Sequence, residues 1–266
     1  TPATSYDYYV RAICGSADSS LWAGPLNFAT ACSVYTPAYL ETFNTYLPTC
    51  WDMAGSGTPL TGYGSLGTSE WSAASFLNAG GANDAVVLNL YNIGSEEWLI
   101  TPTFDLSAGG WELYINAGMT AYNSTAAINM GSDDTVQVLL TIDNGATWTP
   151  IYTWEVNNQP TDTGTFARID LAAYTNATTQ FAIWGTEGAI DDAEDFDFFI
   201  SDFEIRIPPT CYAPTGLATA NLMSSSVDLS WIENGTATTW QVQWDTAGFT
   251  PGTGNLAVTT TNPHSL

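Results

Sequence analysis

Alternating hydrophobic and polar residues at both ends of the chain predict short strands. Near the beginning, Tyr6, Tyr8 and Val10 fall on one face of a predicted strand over residues 5–14. A second strand is expected at AGPLNFAT, residues 23–30. Two strands alone are only marginally stable in water, so this pair needs a partner. The last part of the chain predicts four further strands, over residues 216–220, 226–231, 239–245 and 255–260.

The middle of the chain has its own strand pattern. Alternation is clear over residues 136–142 and again over residues 196–207. Between two such runs, DNGATW contains Asn144 and Gly145, and Asn-Gly is typical of a tight β-hairpin turn. Thr, Ser, Gly, Asn and aromatic residues are abundant, which also favours strands and turns over helices. We therefore expect an all-β protein.

The two ends together resemble one known module. PTGL (214–217) and VDLSW (227–231), followed by TPATSYDYYVRA (1–12), resemble a fibronectin type III repeat of large secreted proteins of the Bacteroidota. The resemblance implies that residues 210–266 form the front of such a repeat and residues 1–31 the back. Their combined length is close to the roughly 100 residues of an immunoglobulin-like sandwich. We expect one period of a tandem array in which neighbouring copies complete each other's sandwich; the alternative is a fragment with damaged ends.

The middle segment resembles a second family. LETF (40–43), CW (50–51), WLITPTFDLS (98–107), DNGATW (143–148), IDLAAY (169–174) and FFISDFEI (198–205) resemble the MAM-like and cleaved-adhesin (choice-of-anchor J) jelly-roll domains of Bacteroidota surface proteins. The resemblance implies two packed antiparallel sheets with a binding or structural role, usually without catalysis. The predicted organisation is an antiparallel jelly roll at 33–209 between partial fibronectin type III-like sandwiches at 1–32 and 210–266.

The charge of the chain excludes several classes of partner. Its 266 residues include 27 acidic and three basic ones, which gives a net charge of −24. Such a chain is repelled by phosphate backbones and anionic lipid surfaces, so nucleic acid is not an expected partner. No apolar run approaches the ~18 residues of a membrane span, so direct membrane insertion is not expected either. A strongly acidic surface is best tolerated in salty or calcium-containing surroundings, which indicates an extracellular location.

Four cysteines without a C-x-x-C spacing indicate two disulfides in an oxidising compartment. In the fibronectin-like arrangement, Cys14 and Cys211 share one pole, while Cys32 lies at the other, about 30 Å from Cys14. Bridged Cα atoms lie within about 7 Å, so a disulfide between Cys14 and Cys32 is not expected. We predict a Cys32–Cys50 disulfide, and a bridge from Cys211 to Cys14 of the next copy.

Catalytic chemistry is poorly represented in the sequence. The single histidine, His264, has no second histidine or reactive cysteine with which to form a hydrolytic triad. A glycosidase needs only two carboxylates and is the best enzymatic alternative. The acidic run DDAEDFDFF (191–199), however, lacks the paired-glutamate spacing of jelly-roll glucanases. We expect no catalytic residues.

Structural calcium is a more plausible use of the acidic residues, since Ca²⁺ takes six to eight oxygen ligands. Jelly rolls commonly tie their first strand to their last with such an ion, which points to Glu41 and Asp202, with Asp134 completing the set. A second, weaker set is the crowded loop that contains Asp191, Asp192, Glu194 and Asp195. The alternative is that these carboxylates are simply solvated.

Eleven tryptophans raise the possibility of glycan binding, because exposed rings stack on sugar faces. Trp98, Trp184 and Trp231 are interpreted as core residues. The candidate glycan contacts are Trp111, Trp148 and Trp154.

The leading hypothesis is a non-catalytic repeat segment of a large secreted cell-surface adhesin or extracellular filament. The resemblance implies export by the type IX route and a role in attachment, gliding or capture of other cells. Expected partners are neighbouring copies of the repeat and cell-surface glycans or proteins. The alternative is a carbohydrate-binding module of a secreted polysaccharide-degrading enzyme.

Overall fold

The computed structural model describes residues 1–190, 192 and 194–266. They form two compact units, Thr1–Ile207 and Pro208–Leu266. Apart from a single 3₁₀ turn at Phe76–Asn78, the regular structure of the described residues is antiparallel β-sheet. The predicted all-β class is therefore confirmed. Within the described residues, no helix is long and apolar enough to span a membrane.

The N-terminal hairpin, residues 1–31, contains four short strands: β1 (Ser5–Val10), β2 (Ile13–Gly15), β3 (Asp18–Ser19) and β4 (Ala23–Ala29). Strand β1 pairs with β4, and Tyr6 lies opposite Phe28 while Tyr8 lies opposite Leu26. The predicted strand over 5–14 is interrupted after Val10, and its last residues pair with β3 instead. Every residue of β1 and β4 is exposed.

The following eleven strands form a two-sheet sandwich: β5 (Tyr39–Glu41), β6 (Asp52–Ala54), β7 (Ser72–Ala74), β8 (Ala85–Leu90), β9 (Glu96–Phe104), β10 (Glu112–Ala121), β11 (Thr135–Thr141), β12 (Thr149–Trp154), β13 (Thr165–Asp170), β14 (Thr179–Thr186) and β15 (Phe196–Arg206). One sheet has the order β13-β10-β15-β8-β7, with β5 also paired to β15. The other has the order β12-β11-β14-β9-β6. This is the antiparallel jelly-roll sandwich that the sequence predicts.

Alternate side chains of both sheets meet in one large core. Val136, Val138 and Leu140 of β11 face Phe198, Ile200 and Phe203 of β15 and their neighbours in this cluster. The spacing of the β15 residues changes after Ile200 because the pairing with β10 skips Ser201, which forms a bulge. The bulge lets Ile200 and Phe203 both point inward although they are three positions apart.

The Asn-Gly turn is where the sequence predicts it. Strand β11 pairs with β12 in a hairpin, and Asn144 and Gly145 at its tip have φ of 58° and 84°. Both angles lie in the left-handed region that Asn and Gly tolerate best.

Cys32 and Cys50 form a disulfide with a Cα–Cα distance of 5.9 Å, as predicted.

The C-terminal unit contains five strands: β16 (Thr215–Ala220), β17 (Asp228–Ile232), β18 (Trp240–Trp244), β19 (Asn255–Thr259) and β20 (His264–Ser265). Four of them match the four predicted strands to within two residues at each end. Strands β16, β17 and β20 form one small sheet, and β18 with β19 forms another. Thr259 is the only residue of the unit that is classed as buried among those described.

Candidate functional site

An open apolar groove lies within the C-terminal unit. It has a volume of ≈ 990 Å³ and is lined from both small sheets, by Leu217 and Leu229 on one side and by Trp240 and Val242 on the other. Trp231 lines it too and packs edge-on against Trp240, with ring centroids 5.4 Å apart. A sandwich of this size normally buries such residues between its sheets. In this unit the apolar residues that face each other from the two small sheets therefore remain accessible along the groove.

The N-terminal hairpin carries an apolar face of matching chemistry. Tyr6 stacks on Phe28 with ring centroids 5.6 Å apart, and Tyr8 packs edge-on against the same ring. Because residues directly opposite on paired strands share a face, Leu26 joins these three aromatic residues. All four side chains are between 38% and 57% exposed.

Each of these two regions also carries an unpaired cysteine. Cys14 and Cys211 are both exposed, and Cys211 lines the groove. The same two regions are poor in charge for so acidic a chain. They hold five of the 27 acidic residues, namely Asp7, Asp18, Asp228, Glu233 and Asp245. Electrostatic repulsion between copies is therefore weakest where the apolar surfaces lie.

The three tryptophans predicted to contact glycans are buried, so that prediction is wrong. Trp111, Trp148 and Trp154 are 9%, 6% and 1% exposed. Trp154 packs edge-on against Phe198 in the main core. Trp148 belongs to a second cluster on the outer face of the five-stranded sheet, where Trp98 and Trp184 both donate from Nε1 to the carbonyl of Gly57. These rings pack the sandwich and present no free face.

A group of carboxylates, which we call the acidic pole, gathers where β11 and β15 begin and β14 ends: Asp133, Asp134, Glu187, Asp192 and Glu194. One carboxylate oxygen each from Asp134, Glu187 and Glu194 lies within 4.8 Å of the others. Thr135 pairs with Thr186, so the register of β11 and β14 places Asp134 beside Glu187. The acidic pole thus brings together two connections of the sandwich, the one between β10 and β11 and the one between β14 and β15.

The backbone holds several of these carboxylates in place. Asp133 Oδ2 accepts from the backbone N–H groups of Ala189 and Ile190 at 2.8 and 3.2 Å. Asp192 Oδ2 accepts from the N–H of Ser132, and Asp134 Oδ2 from the N–H of Gly131 at 2.8 Å. A Cβ at Gly131 would overlap Glu194 Oε1, so only glycine allows the backbone to approach this closely.

Burial and mutual repulsion disturb the titration of the acidic pole. Burial raises the pKa of Asp134 to about 6. The hydrogen bond from the backbone N–H of Gly131 lowers this pKa, whereas the negative charges of Glu194, Asp133 and Asp192 raise it further. The hydrogen bonds from Ser132 lower the pKa of Asp192. Arg206, which pairs with Glu112 and Glu204, lies at the other end of β15, about 33 Å along the strand.

The structure regroups the residues that the sequence proposed as cation ligands. Asp134 of the first set and Glu194 of the second converge, whereas Glu41 and Asp202 are not part of that cluster. Asp202 lies within β15, six residues after it begins, so about 20 Å separates it from the pole. Glu41 Oε1 instead accepts from the N–H groups of Thr42 and Phe43.

The second predicted set is also divided. Asp192 belongs to the acidic pole, but Asp195 Oδ1 accepts from Asn89 Nδ2 at 2.8 Å. Asp191 lies outside the described residues. Sequence reasoning missed Glu187 altogether. Its only signal is an acidic residue before a glycine at the end of a strand, and the strand register needed to place it beside Asp134 is not visible in the sequence.

A polar and aromatic patch lies on the outer face of the six-stranded sheet. Tyr114 of β10 and Phe166 of β13 stack with centroids 4.5 Å apart and planes 10° apart. The guanidinium of Arg206 lies 3.6 Å over Tyr114 and pairs with Glu112 and Glu204. Phe166 is 52% exposed at the edge of the sheet. This patch presents an accessible ring, which the three buried tryptophans do not.

Comparison with known proteins gives likenesses to solved structures only. No protein-family model matches the chain, and no curated protein matches it. The chain is similar to the K1 cleaved adhesin domain of Lys-gingipain from Porphyromonas gingivalis, with 15% identity and a TM-score of 0.42 over 64% of this chain and 98% of that one.

Two further likenesses are to carbohydrate-active proteins. One is a xylan-binding module, with 11% identity and a TM-score of 0.37 over 64% of this chain and 97% of that one. The other is a xylanase from Cellvibrio japonicus, with 10% identity and a TM-score of 0.35 over 62% and 28%. Because these TM-scores lie below 0.5, they carry no argument about what this chain does.

Proposed function

We propose that the chain is a non-catalytic, self-assembling segment of a secreted adhesin or extracellular filament, in which the N-terminal hairpin of one copy fills the groove of another. The observation that carries this proposal is the pairing of an apolar groove with an apolar hairpin face in one sequence. Neither surface is covered: Tyr8, Leu26 and Phe28 are half exposed, and Leu217 is 80% exposed. Exposed apolar surfaces of this kind mark interaction sites.

The strand count supports a second copy as the occupant. The C-terminal unit supplies a three-stranded sheet and a two-stranded sheet. Adding β1 and β4 to the two-stranded sheet would give four strands facing three. Seven strands in two sheets make up a complete immunoglobulin-like sandwich. The docked hairpin would bury four large side chains, and aromatic side chains bury about 150–250 Å² each.

The test uses the two unpaired cysteines. Isotopically heavy and light chains are mixed, oxidised mildly and digested, and the disulfide-linked peptides are identified by mass spectrometry. We expect Cys14–Cys211 peptides that join a heavy chain to a light one, in excess over Cys14–Cys14 and Cys211–Cys211. Cys14–Cys211 links confined to chains of one isotope would overturn the proposal, as would links that form without preference.

A non-covalent control separates docking from cysteine reactivity. The variant with Cys14→Ser and Cys211→Ser should still form oligomers whose mass rises with protein concentration in light scattering. Leu229→Asp places a charge in the groove, and it should reduce this association while the far-UV spectrum of the sandwich strands is retained. Oligomerisation that is indifferent to Leu229→Asp contradicts docking in the groove.

A carbohydrate-binding function is the second candidate, and the patch of Tyr114, Phe166 and Arg206 supports it. A half-exposed ring beside charged and polar side chains is a suitable surface for a sugar. Binding on a glycan array that is lost in Phe166→Ala and kept in Trp148→Phe would favour this function. Absence of any glycan signal would leave assembly as the remaining proposal.

The finer predictions from the sequence belong to the same proposal. They are attachment, gliding or capture of other cells, export by the type IX route, and cell-surface glycans or proteins as partners. The disulfide supports an oxidising location outside the cell. Imaging of the parent protein at the cell surface tests the attachment role directly.

A further inference from the structure

We propose that the acidic pole is a Ca²⁺ site in which Asp134, from the connection between β10 and β11, and Glu187 and Glu194, from the connection between β14 and β15, supply carboxylate ligands. The site is independent of the groove and the hairpin, and its purpose is to hold this end of the sandwich together. It differs from both ligand sets that the sequence suggests, because it combines one residue of each with Glu187.

The distances between the carboxylates fit one calcium ion. Ca²⁺–oxygen distances are about 2.3–2.6 Å, so two ligands of one ion lie at most about 5 Å apart. The converging atoms of Asp134, Glu187 and Glu194 all lie within 4.8 Å of one another. The donor set consists of oxygens alone, which suits Ca²⁺ rather than zinc or copper.

The second observation is the state of the buried oxygens. Asp134 is only 1% exposed, and its Oδ1 accepts no hydrogen bond from the described residues. Glu194 Oε1 is also inaccessible and without a described hydrogen-bond partner. A buried carboxylate oxygen without a donor is costly, and coordination to a cation offsets that cost.

The local backbone is arranged around these oxygens. Gly131 has no side chain, which leaves room for the carboxylate of Glu194 next to that of Asp134. Gly188, at φ of 84°, packs against the carboxylate of Asp133. This carboxylate accepts hydrogen bonds from the backbone N–H groups of the two residues after Gly188. The loop after β14 is thereby fixed so that Glu187 stays beside Asp134.

The ligand set selects calcium over magnesium by geometry. Mg²⁺ demands near-ideal octahedral coordination at about 2.0–2.1 Å and keeps several of its waters. Three carboxylates held by two separate connections of the fold suit the longer and more variable distances of Ca²⁺. Extracellular modules with such sites bind Ca²⁺ with Kd on the order of 10⁻⁴–10⁻³ M.

The experiment measures Ca²⁺ binding by the full chain after metal removal with a chelating resin. CaCl₂ is titrated calorimetrically at two salt concentrations, because loose binding to a chain of charge −24 is screened by salt. We expect one site per chain that persists at high salt. Ca²⁺ in excess should raise the Tm of the sandwich by about 5 °C, and MgCl₂ should raise it much less.

Matched variants locate the site. Asp134→Asn and Glu194→Gln should each lower Ca²⁺ affinity at least tenfold, whereas Asp202→Asn and Glu41→Gln should leave it unchanged. Circular dichroism shows whether each variant is folded. Equal binding by all four variants, binding that vanishes at high salt, or loss of binding in Asp202→Asn alone would overturn the proposal.

A second readout does not depend on affinity. Limited proteolysis should cleave the connection between β14 and β15 quickly in chelator and slowly in Ca²⁺. This protection should be absent in Asp134→Asn but present in Asp202→Asn. Equal cleavage with and without Ca²⁺ in the unaltered chain would contradict the role assigned to the ion.

Discussion

The sandwich between β5 and β15 and the C-terminal unit are built from similar strands but differ in what they bury. The sandwich encloses large side chains such as Phe104, Phe181 and Phe203 completely. The C-terminal unit leaves Leu217 and Leu256 exposed, and its tryptophans line an open groove. The hairpin of β1 and β4 is exposed along its whole length.

This difference teaches that strand pattern and core formation are separate properties. A sheet forms where residues alternate, but it is stabilised only when its apolar face meets another one. In the sandwich, both faces come from the same unit. The hairpin and the C-terminal unit each leave apolar side chains exposed, so under the proposed assembly we expect their stability to depend on association.

The largest expected effect is the loss of a core ring from the sandwich. Phe203 packs against Trp51, Phe104 and Phe181, so Phe203→Ala should cost about 3–5 kcal/mol of unfolding free energy. The matched variant Trp231→Ala in the C-terminal unit should cost far less at low protein concentration. Denaturant unfolding of both variants checks this, and equal losses would contradict the contrast between the two regions.

The next effect concerns the disulfide. Cys32 and Cys50 close a loop with a sequence separation of 18, and a loop of that size corresponds to about 3 kcal/mol of stabilisation in the chain-entropy model. The double variant Cys32→Ser with Cys50→Ser should therefore lower the unfolding free energy of the sandwich by about 3 kcal/mol. Urea unfolding measures the loss. The pair Cys14→Ser and Cys211→Ser is the control and should leave monomer stability unchanged.

A smaller effect is a pH dependence within the sandwich. Burial raises the pKa of Glu97, although hydrogen bonds from Ser69 and from the N–H of Glu70 oppose the shift. The folded state therefore holds this proton more tightly than the unfolded state. Stability from Glu97 is present below its unfolded pKa and is lost as pH rises through the folded pKa.

Glu97→Gln tests this pH dependence, since glutamine keeps the shape but does not titrate. The stability of the unaltered chain relative to the variant should fall as pH rises from below the unfolded pKa of glutamate, about 4.3, to above the raised pKa of Glu97 in the folded state. Unfolding curves at several pH values measure it. A difference that is constant with pH would show that Glu97 does not titrate differently in the folded state.

The smallest expected effect distinguishes an exposed leucine that only faces solvent from an exposed leucine that takes part in docking. Leu60 is 99% exposed in the sandwich and Leu217 is 80% exposed in the groove. Leu60→Ser and Leu217→Ser should each change monomer stability by less than about 0.5 kcal/mol. Only Leu217→Ser should weaken self-association in light scattering. Equal association of the two variants would count against the groove.

The sequence predicts local structure well where one rule dominates. Alternation locates β11, β15 and the C-terminal strands, and Asn144 with Gly145 identifies a hairpin. The Cys32–Cys50 pairing follows from the proposed module order. The sequence predicts Asp134 and Glu194 as cation ligands but not Glu187. Glu187 lies beside Asp134 because of the register between β11 and β14, and this register depends on tertiary pairing.

The prediction of glycan-binding tryptophans failed for a related reason. Trp148 and Trp154 lie near a hairpin, where sequence gives no sign of burial, but the loop carrying Gly57 and Tyr63 covers the outer face around Trp148. A tryptophan alone does not distinguish a binding platform from a packing residue. Phe166 is one of the rings that are half exposed, and composition does not single it out.

Hydrogen exchange at increasing protein concentration tests the central claim most directly. If copies complete each other, backbone amides of β1, β4 and β18 should become more protected as concentration rises, while those of β10 and β14 stay constant. Protection of β1 and β4 that is the same at every concentration would contradict assembly through the hairpin and the groove.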